Sequence, residues 1–404
     1  MAPTNRQATM SLAVMQFTLA FSIASLVLRL PSIQSFLNIG EGQLTTMTSM
    51  RGWGSILALV FIGYLSSIIS IKRSFILYAF MFAVGYLALS GYVFEFGYIY
   101  YGLGMFLIGA SGGALNMIVN GLASDLEAHS DIVILPKLHS LAPIGSLLGT
   151  ATAGLYSFFE LSPLVQYLTL GSLVLLVRLV AIKYLPAHAH NFDAEPDQPK
   201  VRITDFYKPL KHKEVLLAAF VLGLVVVWES GAIYWIPLYL VNEAQGTEAM
   251  SAIIVATYAL PISLVRLAGN KYVNKYSAYN IVAASFAVAA TGMLIFLNSP
   301  DNNYFLKILG AIIWGAGGGL SLPVMFRYIA NVVTKKKISR TAKISAASLV
   351  STFASITGPQ VVGYTAQISS IYFALTCTIL VVPVMGVIAY RDYKSKAAEA
   401  SNIN

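Results

Sequence analysis

The chain has 404 residues, 57% of them hydrophobic and only 11% charged, with a formal net charge of +9 and a single cysteine. That balance excludes a water-soluble globular domain, because a helix that is apolar all the way round belongs in lipid or in a membrane bundle. The lone Cys377 excludes a disulfide framework and a thiol-based metal or redox pair, and it reads as a packing residue of the last span.

In chain order the apolar blocks run 9–31, 45–70, 74–94, 98–122, 137–159, 163–185, 215–241, 249–270, 278–298, 303–332, 342–367 and 370–390. Each has roughly the 20 residues that a membrane-crossing helix needs. Backbone amides in the bilayer core require internal partners, so the blocks are expected to be α-helices. The first block is read as a retained span: its leader, Met1 to Arg6, holds one positive charge, and no small-residue cleavage site follows Arg29-Leu30-Pro31.

Twelve crossings put both termini on one side, and charge says which. With the termini cytoplasmic, the inner segments carry Arg6, Lys72, Arg73, Lys137, Lys271, Lys275, the cluster from Lys335 to Lys343, and Arg391. The outer loops carry Glu41, Glu95, Glu160, Glu243, Glu248 and Asp301, with Lys307 as their one cation. Positive charge held on the cytoplasmic face is the expected orientation signal, so the net charge reads as a topological asymmetry and not as a nucleic-acid footprint. Lys335 to Lys343 is read as an inside-anchoring loop, with contact to anionic lipid head groups as the alternative.

The longest hydrophilic stretch, Ala187 to Lys213, is too short to bury a core of its own. The expected domains are therefore a six-helix bundle over 1–186, a cytoplasmic linker over 187–213, a second bundle over 214–391 and a tail over 392–404. A short amphipathic helix is expected around Ile203 to Leu210.

The two halves repeat at a shift of 206 residues. Pro31 matches Pro237, Gly63 matches Gly269, and the run Gly109 to Gly113 matches Gly315 to Gly319. Gly149 and Gly154 match Gly358 and Gly363 at a shift of 209. Parallel six-helix repeats packed around a mid-membrane site are the architecture of many secondary transporters. The glycine runs lack the Lys-Ser/Thr ending of a phosphate loop and are read as points of close helix approach and hinge freedom.

These residues also carry a family likeness: the chain resembles the permeases of the major facilitator superfamily. The family's loop signature between its second and third spans is degenerate here, as Gly63-Tyr64-Leu65-Ser66-Ser67-Ile68-Ile69-Ser70-Ile71-Lys72-Arg73. Ser67 replaces the acid, which removes the ion pair that acid usually makes. The second-half counterpart, Arg266 to Lys271 through Gly269, is closer to the pattern. The likeness implies an all-α membrane protein with twelve transmembrane helices in two parallel six-helix repeats. It also implies gating loops at Gly63, Lys72, Arg73, Arg266 and Gly269. Leu28 to Ile33, Leu115 to Asn120, Lys137 to Ser140, Trp228 to Ala232 with Trp235, and Gly358-Pro359 resemble a bacterial inner-membrane branch related to fucose-type sugar permeases. Gly149 is followed by Thr150, so the Gly-Pro pair of the antiporter signature is missing, which argues against drug/proton exchange.

In that fold the first, fourth, seventh and tenth spans line the cavity. Glu229 is the only acid near the middle of a span, where an ionised group costs at least ~2.5–3.5 kcal/mol and faces the bundle interior. It reads as a proton-coupling residue, with a static ion pair or substrate contact as the alternatives. His139, opening the fifth span, is a second proton acceptor or a helix-end residue bonded to a loop. Asn116 and Asn120 share a face of the fourth span and suit a sugar hydroxyl or a carboxylate, or else join helices. Gln16 is a weaker version of the same. Arg29 and Arg51, near the outer face, favour an anionic solute if they face the cavity; otherwise they form an outer gate, snorkel to head groups or pack inside the bundle. Arg327 is a further cavity cation, Arg178 an inner-interface anchor, and Trp228 and Trp235 offer stacking faces for a sugar ring.

The resulting expectation is a monomeric inner-membrane permease without cofactor, metal or enzymatic chemistry. It moves a small polar solute, a sugar or an organic anion, with protons as the coupling ion. Export of metabolites or drugs, and a non-transporting sensor on the same scaffold, are the rival readings.

Overall fold

A computed structural model of the chain describes residues 4–128, 134–185, 208–268, 275–334, 338 and 340–401, and among them there are helices and no strands. Fifteen α-helices follow one another. They are α1 (Asn5–Val27), α2 (Leu30–Leu37), α3 (Glu41–Ile68), α4 (Ile71–Ser90), α5 (Gly97–Ala128), α6 (Leu135–Phe158) and α7 (Pro163–Ile182). After them come α8 (Lys213–Asn242), α9 (Glu248–Ala268), α10 (Ala278–Asn298), α11 (Tyr304–Gly318), α12 (Ser321–Asn331), α13 (Arg340–Ile368), α14 (Ile371–Thr378) and α15 (Val381–Ser401). Side-chain caps fix several starts: Thr4 and Gln7 form a capping box on α1, and Ser162, Ser277, Asn303 and Ser370 cap α7, α10, α11 and α14.

Nine helical stretches among the described residues are long and apolar enough to cross a membrane. The helices α3, α6 and α13 have 28, 24 and 29 residues, also long enough to cross. These helices also carry many Ser and Thr residues. Those hydroxyls return to the helix's own backbone, as Thr45 does to Glu41, Thr46 to Gly42 and Thr352 to Ser348.

Proline explains where spans break. Pro31 has no N–H for the Val27 carbonyl, and the first span accordingly divides between α1 and α2. Pro323 leaves the Gly319 carbonyl without its helical donor, and the tenth span divides between α11 and α12. The first glycine run, with no proline four residues beyond it, lies inside the unbroken α5.

Packing divides the chain into two compact units, Met1–Pro199 with Thr247–Ala252, and Lys200–Gly246 with Ile253–Asn404. In the first, α1 packs on α6, α3 and α4 on α5, and α4 on α7. In the second, α8 packs on α13, α10 on α11, and α10 on α15, so three of the four pairings recur. The repeated glycines sit at the equivalent contacts. A methyl group on Gly109 would overlap the Arg51 carbonyl of α3, and one on Gly315 the Tyr258 carbonyl of α9. Gly149 lies against Phe21 and Gly358 against Val227, two neighbours that correspond at the shift of 206.

Most of the linker expectation, including Ile203 to Tyr207, falls outside the described residues; Lys208–Lys211 is a 3-10 turn. Past the expected end of the last span, α15 continues as helix to Ser401.

Candidate functional site

In the second unit, Glu229 on α8 pairs with Arg266 on α9: Arg266 Nη2 donates to Glu229 Oε1. The carboxylate side chain is 19% exposed and the guanidinium 34%. Arg266 Nε donates at 3.2 Å to the carbonyl of Gly319, the group that Pro323 leaves without a helical donor. The Tyr258 hydroxyl donates to the Glu229 backbone carbonyl at 3.3 Å, and Trp314 packs edge-on to Tyr258 at 5.5 Å. One cation therefore ties the acid of the seventh span to the break in the tenth. Glu229 Oε2 is buried and makes no hydrogen bond.

Chemically, this is a carboxylate with one oxygen committed to a guanidinium and the other bare. Protonation of such a group removes the charge that holds the guanidinium, while the carbonyl contact of Arg266 does not depend on it.

The first unit holds a polar cavity of about 200 Å³ among α1, α3 and α5, lined by Arg51, Ser55 and Asn116 with Leu19, Ile23 and the glycine run. Ser55 is spent on the Gly109 carbonyl at 2.9 Å. Asn120 Nδ2 donates to Asn116 Oδ1 at 3.5 Å, and Asn120 Oδ1 is buried without a partner. The cavity thus brings together Arg51 and Asn116, with Asn120 one turn behind. Gln16 is buried on α1 and its amide oxygen has no partner.

Other expected residues lie elsewhere. Within the first unit Arg29 is buried, with Nη2 donating to the Leu161 carbonyl at 2.6 Å and Nη1 3.0 Å from Glu248. This overturns the snorkelling reading, since Glu248 supplies a counter-charge that head groups would otherwise provide. Glu248 also accepts from the Ser32 N–H at 2.9 Å and its hydroxyl at 2.6 Å, capping the first turn of α2 where Pro31 has no donor.

Arg178, expected as an interface anchor, is fully buried, donating to Thr18 Oγ1 at 3.1 Å and lying 3.9 Å over the Phe82 ring. Arg327 is exposed on α12. Trp228 and Trp235 are buried and line a second cavity, wholly within the second unit. Lys72 and Arg73 are exposed at the start of α4, and Gly63 lies in α3. The side chain of His139, and Gly269, lie outside the described residues. Sequence reasoning placed Arg266 in a gating loop and missed it as the partner of Glu229; Arg266 and Glu229 are 37 residues apart, with nothing local to join them. No group of three or more His, Cys, Asp or Glu fit to hold a metal occurs among the described residues.

The model of the Major Facilitator Superfamily matches residues 10–359 and 233–403. The chain belongs to this superfamily. It is a multi-pass membrane transporter. Curated relatives include membrane protein MosC of Rhizobium meliloti, 21% identical over 85% of this chain and 80% of that protein. An uncharacterized MFS-type transporter of Yersinia pestis is 21% identical over 69% of this chain and 68% of its own length. Among solved structures, the nucleoside transporter NupG superposes with a TM-score of 0.76 at 15% identity, over 96% of this chain and 99% of NupG. The E. coli fucose:proton symporter FucP gives 0.58 at 17% identity, over 95% and 97%. These likenesses carry the superfamily fold, two repeats of one helical bundle.

Proposed function

We propose that this superfamily transporter is a proton-coupled carrier of a small polar solute, a sugar or an organic anion, working by alternating access. The observation that carries this reading is the bare Oε2 of Glu229 beside an oxygen held by Arg266. A proton taken up there releases Arg266 from the seventh span, and the loss of that proton restores the tie. The guanidinium also holds the carbonyl at the break of the tenth span, so proton occupancy is linked to the geometry of that helix. Arg51 and Asn116 form the solute's polar wall. NupG is named for nucleosides and FucP for fucose and protons, which supports a hydroxyl-bearing solute and proton coupling. The placement of Lys and Arg supports both termini being cytoplasmic, and the reading is completed by a monomer in the inner membrane.

Thermal-shift screening of purified protein against sugars and organic acids at two pH values tests the solute class. For the solute that stabilises it, Asn116→Ala is expected to weaken binding about five- to tenfold, the loss of one hydrogen bond worth ~1 kcal/mol or slightly more. The melting temperature of the solute-free protein should fall only slightly, since Asn116 borders a cavity and its contact with Asn120 is long at 3.5 Å. Unchanged affinity removes Asn116 from the solute wall. Arg51→Gln separates the two classes, weakening an organic anion far more than a sugar.

Export is the second reading. The three tryptophans on the cavity of the second unit favour it, and efflux from solute-loaded vesicles in place of uptake would establish it.

A further inference from the structure

The first span breaks and the seventh does not, although both carry the same proline. Pro31 and Pro237 correspond at the shift of 206, yet α8 runs unbroken from Lys213 to Asn242 with Pro237 inside it. Each proline removes one ladder hydrogen bond from its span, so something further divides α1 from α2. The difference lies at the next residue. In a continuous helix the Ser32 N–H would donate to the Leu28 carbonyl. Here it donates at 2.9 Å to Glu248 Oε1, which also accepts from the Ser32 hydroxyl at 2.6 Å. Leu238, the counterpart of Ser32, lies inside α8, and Gly42, the counterpart of Glu248, has no side chain to offer.

The way α9 begins puts Glu248 there. The stretch Thr247–Ala252 packs with the first unit, and the same helix continues from Ile253 in the second. Within the first unit its opening turn is held at three points. Glu248 Oε2 lies 3.0 Å from Arg29 Nη1, Oε1 takes both Ser32 donors, and Ala252 closes a small buried cluster with Leu28 and Ala153. The ion pair is dry, at 4% and 7% side-chain exposure. A buried carboxylate is stable while fully paired and costly once a partner is withdrawn, so such a contact is either made or absent.

Release strands few polar groups. Arg29 keeps the Leu161 carbonyl at 2.6 Å, and the Ser32 N–H can return to the Leu28 carbonyl. Glu248 sits at the first residue of its helix, where water can receive it.

We infer that the first turn of α9 is a strap: Glu248, docked on Arg29 and Ser32, holds the first span broken at Pro31. Its departure lets α1 and α2 join into one helix with the proline inside, as α8 already is. Leu19 and Ile23 of α1 line the polar cavity of the first unit, so the state of the strap reaches the solute wall. Its place in a transport cycle, as the contact released when the outer side opens, rests on the alternating-access reading above; the strap itself does not.

Spin labels at Met10→Cys and Phe36→Cys, exposed positions on α1 and α2, measure the span directly in a Cys377→Ser background. Glu248→Ala is expected to move their separation towards that of an unbroken helix, roughly 39 Å along its axis. Glu248→Gln, which keeps an acceptor for Ser32, should move it less. In the same background, Ala153→Cys lies buried beneath the strap. It should react with an impermeant maleimide about tenfold faster in Glu248→Ala, the population shift expected from losing charge-assisted hydrogen bonds. Ala114→Cys, buried in the separate core of the first unit, reports unfolding and should stay unreactive. If Glu248→Ala exposes it, Glu248→Gln decides, and must still speed the reaction at Ala153→Cys alone. An unchanged separation, or an unchanged rate, in a variant that keeps Ala114→Cys protected overturns the strap. Failure of the parent to move any solute overturns the alternating-access reading alone, with separation and rate still deciding the strap.

Discussion

Replacing Glu229 by Gln is expected to end uphill transport in proteoliposomes while leaving exchange of solute across the membrane in place. The amide keeps the shape of the side chain and an acceptor oxygen for Arg266, so the contact between α8 and α9 persists in weakened form. What it loses is the site at Oε2, the oxygen that is buried and unpaired. Without a group that binds a proton on one side and releases it on the other, a proton gradient has no differential affinity to act through. Accumulation then falls to the equilibrium distribution, whereas counterflow, which needs only a rocking solute site, continues. A static brace predicts otherwise, and the double substitution Glu229→Leu with Arg266→Leu separates the two. Replacing both partners of a buried pair by apolar groups is often neutral or stabilising, so a brace would recover both stability and accumulation. A coupling pair recovers stability and still fails to accumulate. Accumulation of radiolabelled solute on an imposed proton gradient, measured beside the thermal unfolding midpoint, reads both.

How far the sequence announces this molecule varies from residue to residue. The spans follow from hydropathy because lipid leaves the backbone no other partner than itself. The glycine register survives folding because Gly109 and Gly315, and Gly149 and Gly358, meet equivalent neighbours in each unit. The division of the tenth span goes undetected although its cause, Pro323, is plain in the sequence, since a proline can also sit inside a continuous helix, as Pro143, Pro237, Pro261 and Pro359 do. The acid Glu229 stands out by being alone in an apolar span. Its partner does not, because Arg266 lies near a helix end where loop cations are common. For Arg29 the sequence leaves snorkelling, an outer gate and packing open, and for Arg178 the interface reading is a plain error. A long cation near a span's end is read as reaching outward, and only the packed structure supplies Glu248 to the first and Thr18 with Phe82 to the second.

The second large effect falls within a single glycine run. Gly315→Ala is expected to yield protein destabilised by about 3 kcal/mol or more, a large share of the ~5–15 kcal/mol that holds a typical domain folded. Gly318→Ala, three residues on, is expected to fold at least as well as the parent. A methyl group on Gly315 would overlap the Tyr258 backbone carbonyl, and backbone cannot rotate aside as a side chain does. The helices α9 and α11 must then separate. Tyr258 moves with α9, and so does Arg266, so the hydroxyl contact to the Glu229 carbonyl and the ion pair are strained together. At Gly318 an added methyl meets no atom within 4 Å, and Ala exceeds Gly in helix propensity by about 1 kcal/mol. Both positions are buried and sit in the same helix, so hydropathy and propensity alone predict the same outcome for both. Monodispersity by size exclusion and the midpoint of thermal unfolding decide the matter. Equal behaviour of the two variants would mean that α11 does not rest on α9 at Gly315, and the frame that sets Arg266 between Glu229 and the Gly319 carbonyl would fall with it.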